Sequence, residues 1–256
     1  MSLGRGAQVA LLAERNGVGE AAPFQPSAYT YAELTAAVNR LANALRSRGV
    51  KKGDVVGIFM AHVPEAAVAM LACARIGAVH CVVFGGFSKE ALAGRLIDSG
   101  ARVMVTQDGV MRGGKFVALK AIVDAAAPLV EASGGAGIKA CIVLKRLGTE
   151  SCRASHDMVD GRDAWWHEAV EGQSVEVETE WVDAEDPAFI LYTSGGRSGS
   201  ACDRARCAAR LWQIRGRLWR FCSSVAVPIV LGSTGKPKGI LHTTGGYMLG
   251  AATSFK

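Results

Sequence analysis

Short runs of consecutive apolar residues, each separated from the next by a stretch of helical periodicity, set the tightest constraint on this fold. Val55–Met60, Val79–Phe84 and residues 103–106, 138–144 and 189–193 are too short for helices. They are also too uniformly apolar for strands with one face in water. Strands of that kind are covered on both sides, and helices between them argue for a mostly parallel sheet. Helix signals fill the gaps. Thr30-Tyr31-Ala32-Glu33 has the capping-box pattern, in which Thr and Glu satisfy free N–H groups at a helix start. Leu34, Val38, Leu41, Ala42 and Leu45 follow at helical spacing, and Gly49 suits the position just past the helix end. Pro64 suits the first turn of a helix running toward Gly77, and Ser88 can cap a helix through Leu96. A further helix is predicted over 115–126. Residues 133–137 and 148–163 read as loops, and Trp165-Trp166 as packing residues. The expected fold class is α/β, a mostly parallel sheet flanked by helices.

With 256 residues, half of them hydrophobic, the chain can bury a sizeable core in one or two domains. Its net charge of +6 is local: residues 196–232 hold seven arginines and one aspartate, which is the whole excess, and the remainder is balanced. A neutral body with one basic segment does not suit a duplex-binding surface. Arg210-Leu211-Trp212 and Arg217-Leu218-Trp219-Arg220 leave a single-strand contact as a minor alternative. None of the seven cysteines forms a C-x-x-C pair, so a zinc site is not indicated. Cys73, Cys81 and Cys141 stand in apolar runs and read as buried thiols, and an odd count suits a reducing compartment. No uninterrupted apolar stretch reaches about 18 residues, so no membrane span is expected. Residues 1–15 lack a signal-peptide core. The expected location is the cytoplasm, with a plastid or mitochondrion as the other option. Gly17-Val18-Gly19-Glu20-Ala21-Ala22 fits a dinucleotide fingerprint, but Pro23 and Pro26 follow where its helix must start, so a nicotinamide oxidoreductase is set aside.

The chemistry-bearing residues lie near the C-terminal end. In Ser233-Thr234-Gly235-Lys236-Pro237-Lys238-Gly239 the glycines let backbone N–H groups turn toward one anion, hydroxyls add donors and lysines add charge. It is not a Walker A loop: Pro237 stands where Ser or Thr is needed, and Val230 where the first Gly is needed. Upstream, Ile190-Leu191-Tyr192-Thr193-Ser194-Gly195 ends a strand, and joined to Ser233 it reads YTSGSTGKPKG. That string resembles the phosphate-loop signature of the adenylate-forming (AMP-binding) ligases. The flanks resemble the acetate–CoA ligases among them: Ala184-Glu185-Asp186-Pro187 before the loop, Leu241-His242-Thr243-Thr244-Gly245-Gly246-Tyr247 after it, and upstream Val82-Val83-Phe84-Gly85-Gly86-Phe87-Ser88 and Arg112-Gly113-Gly114-Lys115. The resemblance covers about residues 8–195 and 233–256. Between them, residues 196–232 contain no Lys, Glu, Thr, Asn, His, Tyr or Met, and the family pattern has no place for them.

The resemblance implies three segments: 1–195 as the N-terminal part of the ligase domain, 196–232 as a foreign insert (a translated intron or a gene-model error), and 233–256 as the domain's continuation. It implies ATP with Mg²⁺, acetate and CoA as partners. Thr193, Ser194, Gly195, Ser233, Thr234, Gly235 and Lys236 would hold the ATP phosphates. Arg112, Gly113, Gly114 and Lys115 would lie by the CoA nucleotide; taken alone they read as a solvated basic turn. Gly85-Gly86-Phe87-Ser88 reads either as a ligand edge or as a turn capped by Ser88. His62, His80 and His242 are expected to pack rather than ligate, and no metal-ligand set is expected. The catalytic lysine, the adenine and ribose contacts and the acyl pocket are expected beyond Lys256, so the fold is a partial one and this chain alone is expected to be inactive. A propionate–CoA ligase and a non-catalytic remnant are the alternatives.

Overall fold

A computed structural model describes residues 4–15, 25–112, 115–135, 137–146, 158–193, 213–214, 217–218 and 238–254. By internal contacts the chain divides into one unit up to Val182 and a second from Asp183. The first begins with an antiparallel pair, β1 (Val9–Arg15) and β2 (Gln25–Thr30), which the apolar pattern did not signal. Thr30 then caps α1 (Tyr31–Ser47) as expected: its Oγ1 accepts from Glu33 N–H at 3.2 Å, and the Glu33 carboxylate accepts from Thr30 N–H at 2.8 Å. Gly49, at φ +84°, ends the turn.

Alternation follows: β3 (Val55–Met60), α2 (Pro64–Arg75), β4 (Val79–Phe84), α3 (Lys89–Ser99) and β5 (Val103–Gln107). Next come β6 (Val110–Arg112), β7 (Lys115–Val117), α4 (Leu119–Ala132), β8 (Ala140–Leu144), β9 (Asp163–Trp165) and the short α5 (Trp166–Val170). Within this unit five strands lie in the order β4-β3-β5-β8-β9, all parallel. The helix expected over 115–126 is corrected: Lys115–Val117 pairs with Val110–Arg112 as a hairpin, and the helix starts only at Leu119 and continues to Ala132 through Pro128.

Side-chain alternation along the strands sorts the core into two faces. Val56, Ile58, Val105 and Ile142 join α1 and α2 residues such as Leu41, Leu45, Val68 and Cys73 in one cluster, with Trp166 packed against it. Their neighbours Phe59, Met104, Cys141 and Val143 are buried on the other side, where α3 and α4 pack on each other. Burial pushes the thiols of Cys73 and Cys141 up to about 12 and that of Cys81 up to about 11, so all three behave as core residues.

An ion network ties α4 to β9. The wholly buried Lys120 Nζ lies 2.6 Å from Asp124 Oδ2 and 2.9 Å from Asp163 Oδ2. Arg162 pairs with Asp124 and, through Nε, with Asp163 Oδ1 at 2.6 Å. Burial works against the charged form of Asp163, but hydrogen bonds from Arg162, Lys120 and Val159 N–H outweigh it and hold its carboxyl below the usual range. Downstream, residues 174–181 run across α1 as a strap: Asn39 and Asn43 donate to the carbonyls of Val175, Ser174 and Glu176, and Lys52 Nζ to that of Trp181.

In the second unit β10 (Pro187–Thr193) pairs antiparallel with β13 (Lys238–Thr243), and α6 (Thr244–Ser254) follows. Between them Gln213–Ile214 (β11) and Arg217–Leu218 (β12) form a two-residue antiparallel pair. Among the described residues no helix is long and apolar enough to cross a membrane.

Candidate functional site

In the first unit's sheet, β3 connects through α2 to β4 on one side, while β5 connects through α4 to β8 on the other. The strand order therefore reverses between β3 and β5, and ligands of open parallel sheets bind in the crevice beyond the carboxyl ends of the strands at such a point. The residues that leave those ends are Ala61-His62 after β3, Gly85-Gly86 after β4 and Asp108-Gly109 after β5.

Phe84 ends β4 with its ring nearly half exposed (47%). The Phe87 ring meets it edge-on at 5.9 Å, and the Arg95 guanidinium lies 4.3 Å over Phe87. The ring of the exposed His62 is tilted toward Phe84 at 6.4 Å. From the β6–β7 hairpin Arg112 reaches back, so that its guanidinium sits 5.1 Å from the Phe84 ring centroid. This is possible because residue 86 is glycine. A Cβ there would meet the Arg112 guanidinium and stand 2.6 Å from Phe84 Cε1. Lys115 faces Arg112 across the hairpin, and both are exposed. Gly113 and Gly114, the two residues between them, lie outside the described residues. Ser88 does cap α3, accepting from Ala91 N–H at 3.3 Å, which bears out the capped-turn reading of Gly85-Gly86-Phe87-Ser88.

A half-exposed aromatic ring with a guanidinium over it, and a second cation opposite that arginine in the hairpin, suits a ligand that joins a planar ring to phosphate. Sequence reasoning singled out Arg112 and Lys115 but missed Phe84 as their companion. The only signal was its place as the last residue of a strand before Gly-Gly.

Of the residues expected at the ATP phosphates, Thr193 ends β10. Ser194, Gly195, Ser233, Thr234, Gly235 and Lys236 lie outside the described residues. The ladder around them is informative: it runs Leu191↔Ile240, Tyr192↔Gly239, Thr193↔Lys238. Residues 194–237 thus depart and return at directly opposed positions. Farther along the same ladder, Phe189 stacks on its partner His242 at 4.4 Å and meets Tyr247 edge-on at 5.0 Å. A Cβ on Gly245 would stand 2.7 Å from Ala184 Cβ, so the start of α6 needs its glycine for close approach. Among the described residues no group of three or more His, Cys, Asp or Glu side chains could hold a metal ion.

A family model described as AMP-binding enzyme matches residues 10–196. The chain is 46% identical over 252 residues to the acetyl-coenzyme A synthetase of Vibrio cholerae, covering 98% of this chain and 31% of that protein. It is 46% identical over 227 residues to the acetyl-coenzyme A synthetase of Escherichia coli strain K12, covering 89% and 28%. Among solved structures, acetoacetyl-CoA synthetase from Streptomyces lividans superposes with a TM-score of 0.65 at 26% identity, over 90% of this chain and 28% of that one. The chain therefore spans less than a third of the length of the relatives it matches.

Proposed function

This chain belongs to the AMP-binding enzyme family, and from that premise we propose that it is the part of an acetate–CoA ligase that carries the ATP phosphate loop and part of the CoA nucleotide site. The reaction has two steps. A carboxylate oxygen of acetate bonds to the α-phosphorus of ATP, the α–β anhydride breaks and pyrophosphate leaves. The CoA thiol then attacks the acyl carbon, and AMP leaves with the electron pair of the C–O bond.

What this chain contributes is positioning and charge. Thr193, Ser194, Gly195, Ser233, Thr234, Gly235 and Lys236 would hold the departing pyrophosphate, where Mg²⁺ bound with the ATP phosphates would supply charge neutralisation. Arg112 and Lys115, with Gly113 and Gly114 between them, take the phosphates of the CoA nucleotide. Phe84, with Gly85 and Gly86 beside it, offers a face to the base. The observation that carries this reading is the 46% identity across nearly the whole chain, flanks of the phosphate loop included.

Residues 196–232 are foreign to that loop. The family match ends at Gly196, and Thr193 pairs directly with Lys238, the register that a short Gly-rich loop joining Gly195 to Ser233 would need. A phosphate nest works through consecutive N–H groups at fixed dihedrals, so splitting it separates donors that act on one anion.

The test is a chimaera in which residues 8–195 joined to 233–256 replace the matching stretch of the Escherichia coli acetyl-coenzyme A synthetase. Acetate-dependent release of pyrophosphate from ATP is the expected result. A folded chimaera that releases none overturns the proposal.

A further inference from the structure

Arg112 belongs to a hairpin that leaves β5, yet its guanidinium lies on a ring of β4, two strands away in the sheet. At about 4.8 Å per strand that is roughly 10 Å of reach. A hairpin of three residues per strand has little ladder of its own to hold that course. Its root is held instead by two buried polar side chains. Gln107 is fully buried and Asp108 is 1% exposed, an unfavourable place for either unless its hydrogen bonds are made.

Those bonds converge on the hairpin root. Asp108 Oδ1 accepts from Gly109 N–H at 2.7 Å, and Gln107 Nε2 donates to the Gly109 carbonyl at 2.6 Å, so both polar groups of Gly109 are clamped. The same two side chains tie that clamp to the neighbouring strand ends. Gln107 Oε1 accepts from Ala61 N–H, just past β3, at 3.0 Å. Asp108 Oδ2 accepts from Arg146 N–H, just past β8, at 2.9 Å. The returning arm is pinned at the same residue: a Cβ on Gly109 would stand 2.6 Å from Phe116 Cζ and 2.9 Å from the Val117 carbonyl.

We propose that Gln107 and Asp108 are positioning residues that set the β6–β7 hairpin against three strand ends and thereby aim Arg112 at the nucleotide phosphates of CoA. The CoA part rests on the reading of Arg112 given above, whereas the anchoring does not.

Two measurements on the whole chain separate them. Amide hydrogen exchange of residues 110–112 and 115–117 reads the anchoring without any ligand. Asp108→Asn, which leaves one of the two N–H groups without its acceptor, is expected to speed that exchange about tenfold while α1 amides stay protected. Gly109→Ala reaches the same displacement without removing a polar group. Titration with CoA then reads the aim in a double-mutant cycle. Asp108→Asn is expected to weaken binding about tenfold in the unsubstituted chain and to have no further effect in the Arg112→Ala background. Unchanged hairpin exchange in both variants overturns the proposal, and so does an equal loss of affinity in the two backgrounds, which would mark a role not routed through Arg112. Faster hairpin exchange with a CoA affinity that Arg112→Ala leaves unchanged supports the anchoring and overturns the nucleotide reading of Arg112.

Discussion

His80 sits inside β4, in register with Val56, and burial pushes its imidazole down to about 4. An unfolded histidine titrates near 6.5, so the unfolded chain takes up a proton in the window between about pH 6.5 and 4 while the folded chain does not. Stability is therefore fully present above that window and falls through it, by about 3 kcal/mol in total at about 1.4 kcal/mol per pH unit. Urea titrations at pH 7 and pH 4.5 check this. His80→Gln is expected to remove most of the difference, and an unchanged pH dependence in that variant would show that His80 is not its source. Of the three histidines expected to pack, His80 lies in the sheet and His242 stacks on Phe189, whereas His62 is exposed beside Phe84. An apolar neighbourhood was enough to read the first two. Phe84 was not legible in that way, since an apolar residue ending an apolar run looks like core. Its exposure follows from the strand stopping and the chain turning at two glycines.

At the scale of elements, the parallel strands β3, β4, β5 and β8 and the helices α1, α2 and α3 were legible because each carries a local signal: an apolar run, a capping box, a Pro in the first turn, a Ser at the cap. The β6–β7 hairpin was not. Its arms are three residues long, too short to show period-two alternation, and Lys115-Phe116-Val117 runs without a break into a segment of good helix formers. What decides the outcome is the clamp on Gly109, which joins residues from three strand ends and is invisible in a local window. β9 is similar: Asp163-Ala164-Trp165 has little strand character of its own and is held by the charges of Lys120 and Arg162. Removing one partner of such a buried pair leaves a charge uncompensated, so Asp163→Asn is expected to destabilise the first unit by about 3 kcal/mol or more. The expected urea curve has an earlier midpoint with an unchanged slope. A shift below about 0.5 kcal/mol, the range of ordinary surface substitutions, would show that the network does not hold the strand.

At the scale of the whole molecule, the chain spans less than a third of the length of the relatives it matches, and in the reading proposed above residues 196–232 interrupt its phosphate loop. The proposed interruption rests on composition and on the family pattern: a segment with seven arginines and no lysine sits inside an otherwise balanced chain, between two halves that resemble one loop. The structure adds the register of β10 with β13, which is closed on both sides of the excursion and needs nothing from it. Loop-closure entropy grows slowly with length, so the insert need not unfold the second unit. Its effect is on geometry, where a displacement of about 1 Å can lower a rate about a hundredfold. The most direct measurement is acetate-dependent ATP–pyrophosphate exchange in two forms of the Escherichia coli chimaera, one with residues 196–232 retained and one with Gly195 joined to Ser233. The joined form is expected to exchange at least about a hundred times faster. Equal rates in the two forms would contradict the account, because the loop would then hold its phosphate with the insert in place.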